Sequence, residues 1–190
     1  MAIIPNASPD EKFSPFYKSN ETFCKEFEKF IASKNGYVKG KYNAFSYMLV
    51  GKINSPTPWD LIYKKSTFSS TGNLWLSSKK QSLFVSVEWK TTSSGFHNSE
   101  FKIRKKRLLD SIKIKFNKDL SLLEFDDNYI VESEKSISII DLEMLMTLKK
   151  VFVSGEVFQV ICKNEEFCIS LRSEKHYFSI INKLLQIHCL

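Results

Sequence analysis

Glycine, proline, arginine and histidine are all scarce in this chain, and each shortage narrows what it can be. Six Gly and five Pro in 190 residues argue against a loop-dominated fold. No GxxxxGK[ST] phosphate cradle, GxGxxG turn, GxSxG elbow or HExxH helix occurs, which removes the common nucleotide-binding, hydrolase and metalloprotease signatures. The three histidines are His97, His176 and His188. His97 falls in a polar loop, and His176 is expected at the solvated start of a helix. His188 adjoins Cys189, but neighbours on a helix point about 100° apart. No metal site and no cofactor is therefore expected.

Arginine is rarer still for so basic a chain. Of 28 basic residues only Arg104, Arg107 and Arg172 are arginine. The guanidinium forks onto phosphates and guanine edges, whereas lysine is a hydrated point charge. Sequence-specific reading of nucleic acid is not expected. No apolar run approaches the ~18 residues of a membrane-spanning helix. The opening MAIIPNASPDEKFSPF lacks a basic stretch followed by an apolar one. Cys24, Cys162, Cys168 and Cys189 are scattered rather than spaced as a framework. Reduced thiols in a cytoplasmic protein are the expectation.

What the chain does have is bulk. Sixteen Phe, seven Tyr and three Trp, with 43% hydrophobic and 26% charged residues, suffice for a buried core. A single domain over 1–190 is expected, with 1–19 as an irregular arm pinned by Phe13, Phe16 and Tyr17. Charge allows a second division. Residues 79–118 carry eleven Lys or Arg against three Asp or Glu, and residues 119–190 carry seven against twelve. Two lobes, 20–118 basic and 119–190 acidic, are the alternative.

Periodicity predicts an α+β fold: a largely antiparallel sheet of meanders and hairpins with about three helices, near 20–34, 141–151 and 173–187. Phe23, Phe27, Phe30 and Ile31 make one stripe of the first, capped by Ser19 or Asn20. Strands are expected over AFSYMLVGKI, 61–69, LWLS and LFVSVEWKT, with a turn at Thr71-Gly72-Asn73. Asp126-Asp127-Asn128 reads as the turn of a hairpin and not as a calcium loop, for which positions six and twelve hold Val131 and Ile137. Asp141 is expected to cap the second helix, with Leu142, Leu145, Met146 and Leu148 on its apolar side. Ser173 is expected to cap the third. In the hairpin VFQVICK/FCISLR, matching apolar parities pairs 162 with 167, 160 with 169 and 158 with 171. Asn164-Glu165 is then a two-residue turn. Cys162 should be buried and Cys168 should point away from it.

The stretch FKIRKKRLLDSIKIKF, Phe101–Phe116, is the one candidate surface. Phe101 and Ile103 alternate with Lys102 and Arg104, and Ile112, Ile114 and Phe116 alternate with Lys113 and Lys115. Two paired strands would gather Lys102, Arg104, Lys113 and Lys115 on one face, with Lys105, Lys106 and Arg107 between them and Phe101 and Phe116 in the core. Glu88 beside Trp89 has no second carboxylate with which to do acid–base work. The expected function is a non-enzymatic binding or accessory module whose lysine-rich face contacts an anionic membrane surface, an acidic protein or nucleic acid. The alternative is an enzyme of unknown class with a site assembled from scattered residues.

Overall fold

The computed structural model describes residues 2–68, 82–92, 99–133 and 137–187. Among these residues it is mixed α+β, with ten strands in largely antiparallel hydrogen-bonded order and five helices, three of them of seven residues or more. LWLS, the Thr71-Gly72-Asn73 turn, His97, His188 and Cys189 lie outside the described residues.

Two compact units divide the chain, and neither is continuous. The first comprises Met1–Ser55, Asp60–Glu88 and Ser173–His176. Its strands are β1 (Ile3–Pro5), β2 (Tyr37–Tyr42), β3 (Ser46–Ile53), β4 (Trp59–Phe68) and the start of β5 (Ser82–Thr92), hydrogen-bonded in that order. The N-terminal arm is more ordered than its prolines suggested. Ile3–Pro5 forms a parallel ladder with Gly40–Tyr42, and Asp10–Phe13 is a turn of 3-10 helix. The long helix α1 spans Pro15–Ser33, five residues earlier than periodicity placed it. Ser14 Oγ accepts the Phe16 amide at 3.2 Å, and Pro15 stands at the first helical position, where its missing N–H costs nothing.

Asn20 is thus a buried mid-helix residue rather than a cap. Its Nδ2 donates to the carbonyls of Asn43 (2.9 Å) and Ala44 (3.3 Å) and ties the helix to the β2–β3 turn. Tyr17 is buried as expected, but Phe13 and Phe16 are exposed and pin nothing. Phe27, Phe30 and Ile31 enter the core. The helix can lie this close because a Cβ on Gly51 of β3 would stand 2.7 Å from Ile31 and 2.8 Å from Phe27.

The second unit comprises Pro56–Trp59, Trp89–Arg172 and Tyr177–Leu190. The change of charge sign after Lys118 falls inside it. Its strand order is the end of β5, then β10 (Glu166–Leu171), β9 (Val157–Lys163), β6 (Phe101–Lys105), β8 (Asp126–Ser133) and β7 (Leu120–Leu123). The β7–β8 hairpin turns at Glu124-Phe125, one step before the expected acidic triplet. Asp126 begins β8, and its Oδ1 accepts the Asn128 amide at 3.0 Å. Helix α3 (Ile139–Thr147) starts from Ser138, with Asp141 as the reciprocal partner of a capping box. Met144, Leu145 and Leu148 are buried there, while Leu142 and Met146, four apart on another side of the helix, are exposed; the helix ends at Thr147 and α4 (Lys149–Val153) follows.

The terminal hairpin follows the expected register at Phe167↔Cys162 and Ile169↔Val160, then slips at a bulge so that Leu171 meets Val157. The bulge buries Val157 and turns Phe158 outward. Cys162 is buried and Cys168 is on the other face, so the two form no disulfide with each other. The last helix, α5, covers only Phe178–Leu184, because Tyr177 adopts a left-handed φ of 55° at its start and breaks the expected run from 173. No described helix is long and apolar enough to cross a membrane.

Candidate anion-binding segment

The segment begins as expected and then departs. In β6 the parity holds: Phe101 and Ile103 are buried, and Lys102 and Arg104 are half-buried on the opposite face. Antiparallel neighbours on both sides, β8 and β9, fix it. Lys102 lies opposite Glu132. Arg104 is only 13% exposed along its side chain. Its Nη atoms fork onto Asp110 at 2.6 and 3.0 Å, and its Nε donates to Glu132 at 2.6 Å. Two carboxylates thus occupy this guanidinium and raise its pKa further.

The second strand does not form. Residues 112–116, expected as an Ile-Lys-Ile-Lys-Phe alternation in an extended ribbon, are coiled. Helix α2 spans Asp110–Lys113, and hydrogen bonds continue the coil from Lys115 to Ile112 and from Asn117 to Lys113. The cause is Asp110. Its carboxylate accepts the Arg107 amide at 2.6 Å as well as the Arg104 fork. A single buried side chain thereby pulls the chain back on the end of β6 within six residues, which no second strand could do. The Arg104 hydrogen bond, then the Arg107 amide, hold Asp110 well below the usual carboxylate range.

Coiling changes which residues share a face. At about 100° per residue, Leu108, Leu109, Ile112 and Phe116 fall on one side, within an arc of about 100°. Asp110 and the half-buried Ile114 lie on the opposite side. The body therefore holds the aspartate and the solvent meets the hydrophobes: Leu108 is 97% exposed, Leu109 64%, Ile112 58% and Phe116 85%. Phe116, expected in the core, is one of the most exposed aromatics. Lys113 and Lys115 flank this stripe, and Lys105, Lys106, Arg107 and Lys118 are exposed beside it.

Of the seven residues singled out, five are exposed in this segment: Lys105, Lys106, Arg107, Lys113 and Lys115. None of these five forms an ion pair with another described residue, whereas Arg104 is consumed by Asp110 and Glu132. Lys118, Leu108 and Leu109 carry no expectation from the sequence, and Ile112 and Phe116, expected on the buried face of a strand, are exposed instead. The spacing of the four hydrophobes, i, i+1, i+4 and i+8, is a helical signal, but it overlies the alternation of 112, 114 and 116 and was masked by it.

An open hollow of about 520 Å³ adjoins the segment, lined by Lys105, Lys106, Arg107, Leu108 and Ser111, with Asp126 and Tyr129 among the residues across from them. A second, of about 550 Å³, mixes Lys102, Arg104 and Lys113 with Glu100, Asp119 and Glu132.

Other chemistry-bearing groups are engaged in structure. Asp141 is fully buried, and its Oδ2 accepts from Ser138 Oγ at 2.5 Å and from Ser99 Oγ, while Cys162 Sγ lies 3.8 Å from Oδ1. His176 is buried rather than solvated, stacked on Phe23 at 3.7 Å. Among the described residues no three His, Cys, Asp or Glu are placed to hold a metal ion. No protein-family model, curated protein or solved structure matches the chain, so function has to be read from the segment's own chemistry.

Proposed function

We propose that the chain is a non-enzymatic, cytoplasmic binding or accessory module that presents the segment Lys105–Lys118 to an anionic partner. One observation carries this reading: the segment holds six cations and one carboxylate, and that carboxylate is turned inward onto Arg104. Every charge the segment shows to solvent is positive. Such a cluster attracts polyanions through a field that decays over about 8 Å at physiological salt. With five of the six cations lysine, attraction without sequence preference is expected.

The test is retention on a heparin column. Wild type should bind at low salt and elute as salt rises. The variant Lys105→Ser/Lys106→Ser/Lys113→Ser/Lys115→Ser should elute much earlier, with an unchanged circular dichroism spectrum, since all four side chains are exposed. Arg104 is left in place because its loss would strand Asp110 and Glu132. Equal elution of the two proteins would sink the reading.

A further inference from the structure

We infer that the partner is an anionic lipid bilayer, and that Leu108, Leu109, Ile112 and Phe116 enter its acyl boundary while the surrounding cations sit at headgroup level. This rests on the reading that the segment's cations meet an anionic surface, and it names that surface.

Charge alone does not choose among polyanions; the apolar stripe does. Four large hydrophobes turned outward on one side of a short coil make a cluster of exposed apolar side chains, a feature that marks an interaction surface. The same residues allow a different placement of the coil. Turning the same coil by half a revolution would bury the leucines and expose Asp110. The Arg104–Asp110 fork and the Arg107 amide hold it the other way. Polar groups thus anchor the coil to the body and apolar groups point away from it, the reverse of an ordinary surface helix.

Among anionic partners, a nucleic acid gains little from this stripe. Base stacking needs planar side chains, and only Phe116 of the four is aromatic. A bilayer accepts all four, because its acyl boundary is non-specific and lies directly beneath the anionic headgroups. Interfacial elements of this composition bury their apolar face by about 5–10 Å, with Lys and Arg at the rim. That matches Lys113 and Lys115 on the two flanks of the stripe. The hollow beside Leu108 adds a seat for a phosphate. Lys105, Lys106, Arg107 and Ser111 line it, and the nearby Asp126 is partly occupied by the Asn128 amide and side chain at 3.0 and 2.9 Å. A lipid whose phosphate entered this hollow would have its chains beginning at the apolar stripe.

Vesicle co-sedimentation separates the two layers of the argument. Wild type should bind phosphatidylcholine vesicles containing phosphatidylserine and not pure phosphatidylcholine vesicles. The variant Leu108→Ser/Leu109→Ser/Ile112→Ser/Phe116→Ser should lose at least about tenfold in vesicle affinity yet keep its heparin retention. The double variant Leu108→Ser/Phe116→Ser, at the two most exposed positions, should show the same direction of change should the quadruple variant fold poorly. Each lysine removed should cost roughly fivefold in vesicle affinity. The indole introduced by Phe116→Trp should shift its emission to the blue on anionic vesicles and be quenched by brominated phosphatidylcholine, relative to wild type carrying its native tryptophans.

If the apolar variants bind vesicles as wild type does and the new indole is not quenched, insertion is overturned, while lysine-dependent heparin retention would leave the anion-binding reading standing. Tighter binding to single-stranded DNA or to polyglutamate than to the vesicles would also overturn the bilayer assignment. Loss of heparin retention from wild type itself would remove both.

Discussion

His176 shows how far one side chain can depart from its neighbours in the sequence. Flanked by Lys175 and Tyr177, it nonetheless enters the core of the first unit, where its ring stacks on Phe23 and its Nε2 lies 3.0 Å from the Phe23 carbonyl. The Tyr63 hydroxyl donates to its backbone carbonyl at 2.9 Å. Burial lowers its pKa to about 4; the contact with Phe23 works in the opposite direction and is outweighed. The Glu26 carboxylate, 3.8 Å from Nε2, is well exposed and screened by water. In the unfolded chain the same imidazole titrates near its ordinary 6.5. As pH falls, the unfolded state therefore takes up the proton first. Stability is present in full above about pH 6.5, declines toward pH 4 and levels off below it, with a total loss on the order of 3 kcal/mol. Urea unfolding at about pH 7.5 and about pH 5 should show this slope, and His176→Gln, which keeps a donor toward Phe23, should flatten it. A slope unchanged in the variant would place the pH sensitivity elsewhere.

At the scale of elements, the terminal hairpin and the basic segment show why some of the chain was readable and some was not. In the β9–β10 ladder Phe167, Ile169 and Leu171 alternate along one strand and Val160 and Cys162 share a face of the other, so one register buries both sets, and two of the three expected pairs form. The third fails at a bulge, a backbone irregularity that alternation does not encode. The basic segment carries two periods at once, and the deciding interaction, Arg104 with Asp110, joins a strand residue to one six positions later with no pattern to announce it. Likewise Asn20 is placed by carbonyls at 43 and 44, and Ser14-Pro15 was an available helix start obscured by the prolines around it. The hairpin also supports a test. Asn164 and Glu165 both have positive φ, 52° and 64°, the conformation of a type I′ turn, in which a glycine at the second position avoids the steric cost borne by glutamate. Glu165→Gly should raise stability by about 0.5–1 kcal/mol, read as a higher urea midpoint. A lower midpoint would mean that glutamate contributes more through its side chain than it loses in its backbone.

At the scale of the molecule, the chain passes between its two compact units five times, and this bears on how it unfolds. The first unit depends on Ser173–His176, four residues delivered only after the chain has run through most of the second, and among them is the imidazole stacked on Phe23. The second depends in turn on Pro56–Trp59, drawn from the middle of the first. Trp59 is almost fully buried there, and Thr91 Oγ1 donates to the Pro58 carbonyl at 2.7 Å. Neither unit can be cut out as a contiguous piece, so opening one removes covalently linked packing residues from the other. The units should therefore unfold in a single transition. Two buried thiols report on them separately, Cys24 in the first and Cys162 in the second. Burial, reinforced by Glu28 and Glu21, pushes the Cys24 thiol up to about 12, so in the folded state it should be almost unreactive toward alkylating reagents. Labelling at rising urea, with each cysteine resolved by mass spectrometry, should show both becoming reactive at the same denaturant concentration. If Cys24 and Cys162 open at distinct midpoints, the interleaving does not couple the units, and each folds on its own despite the five crossings.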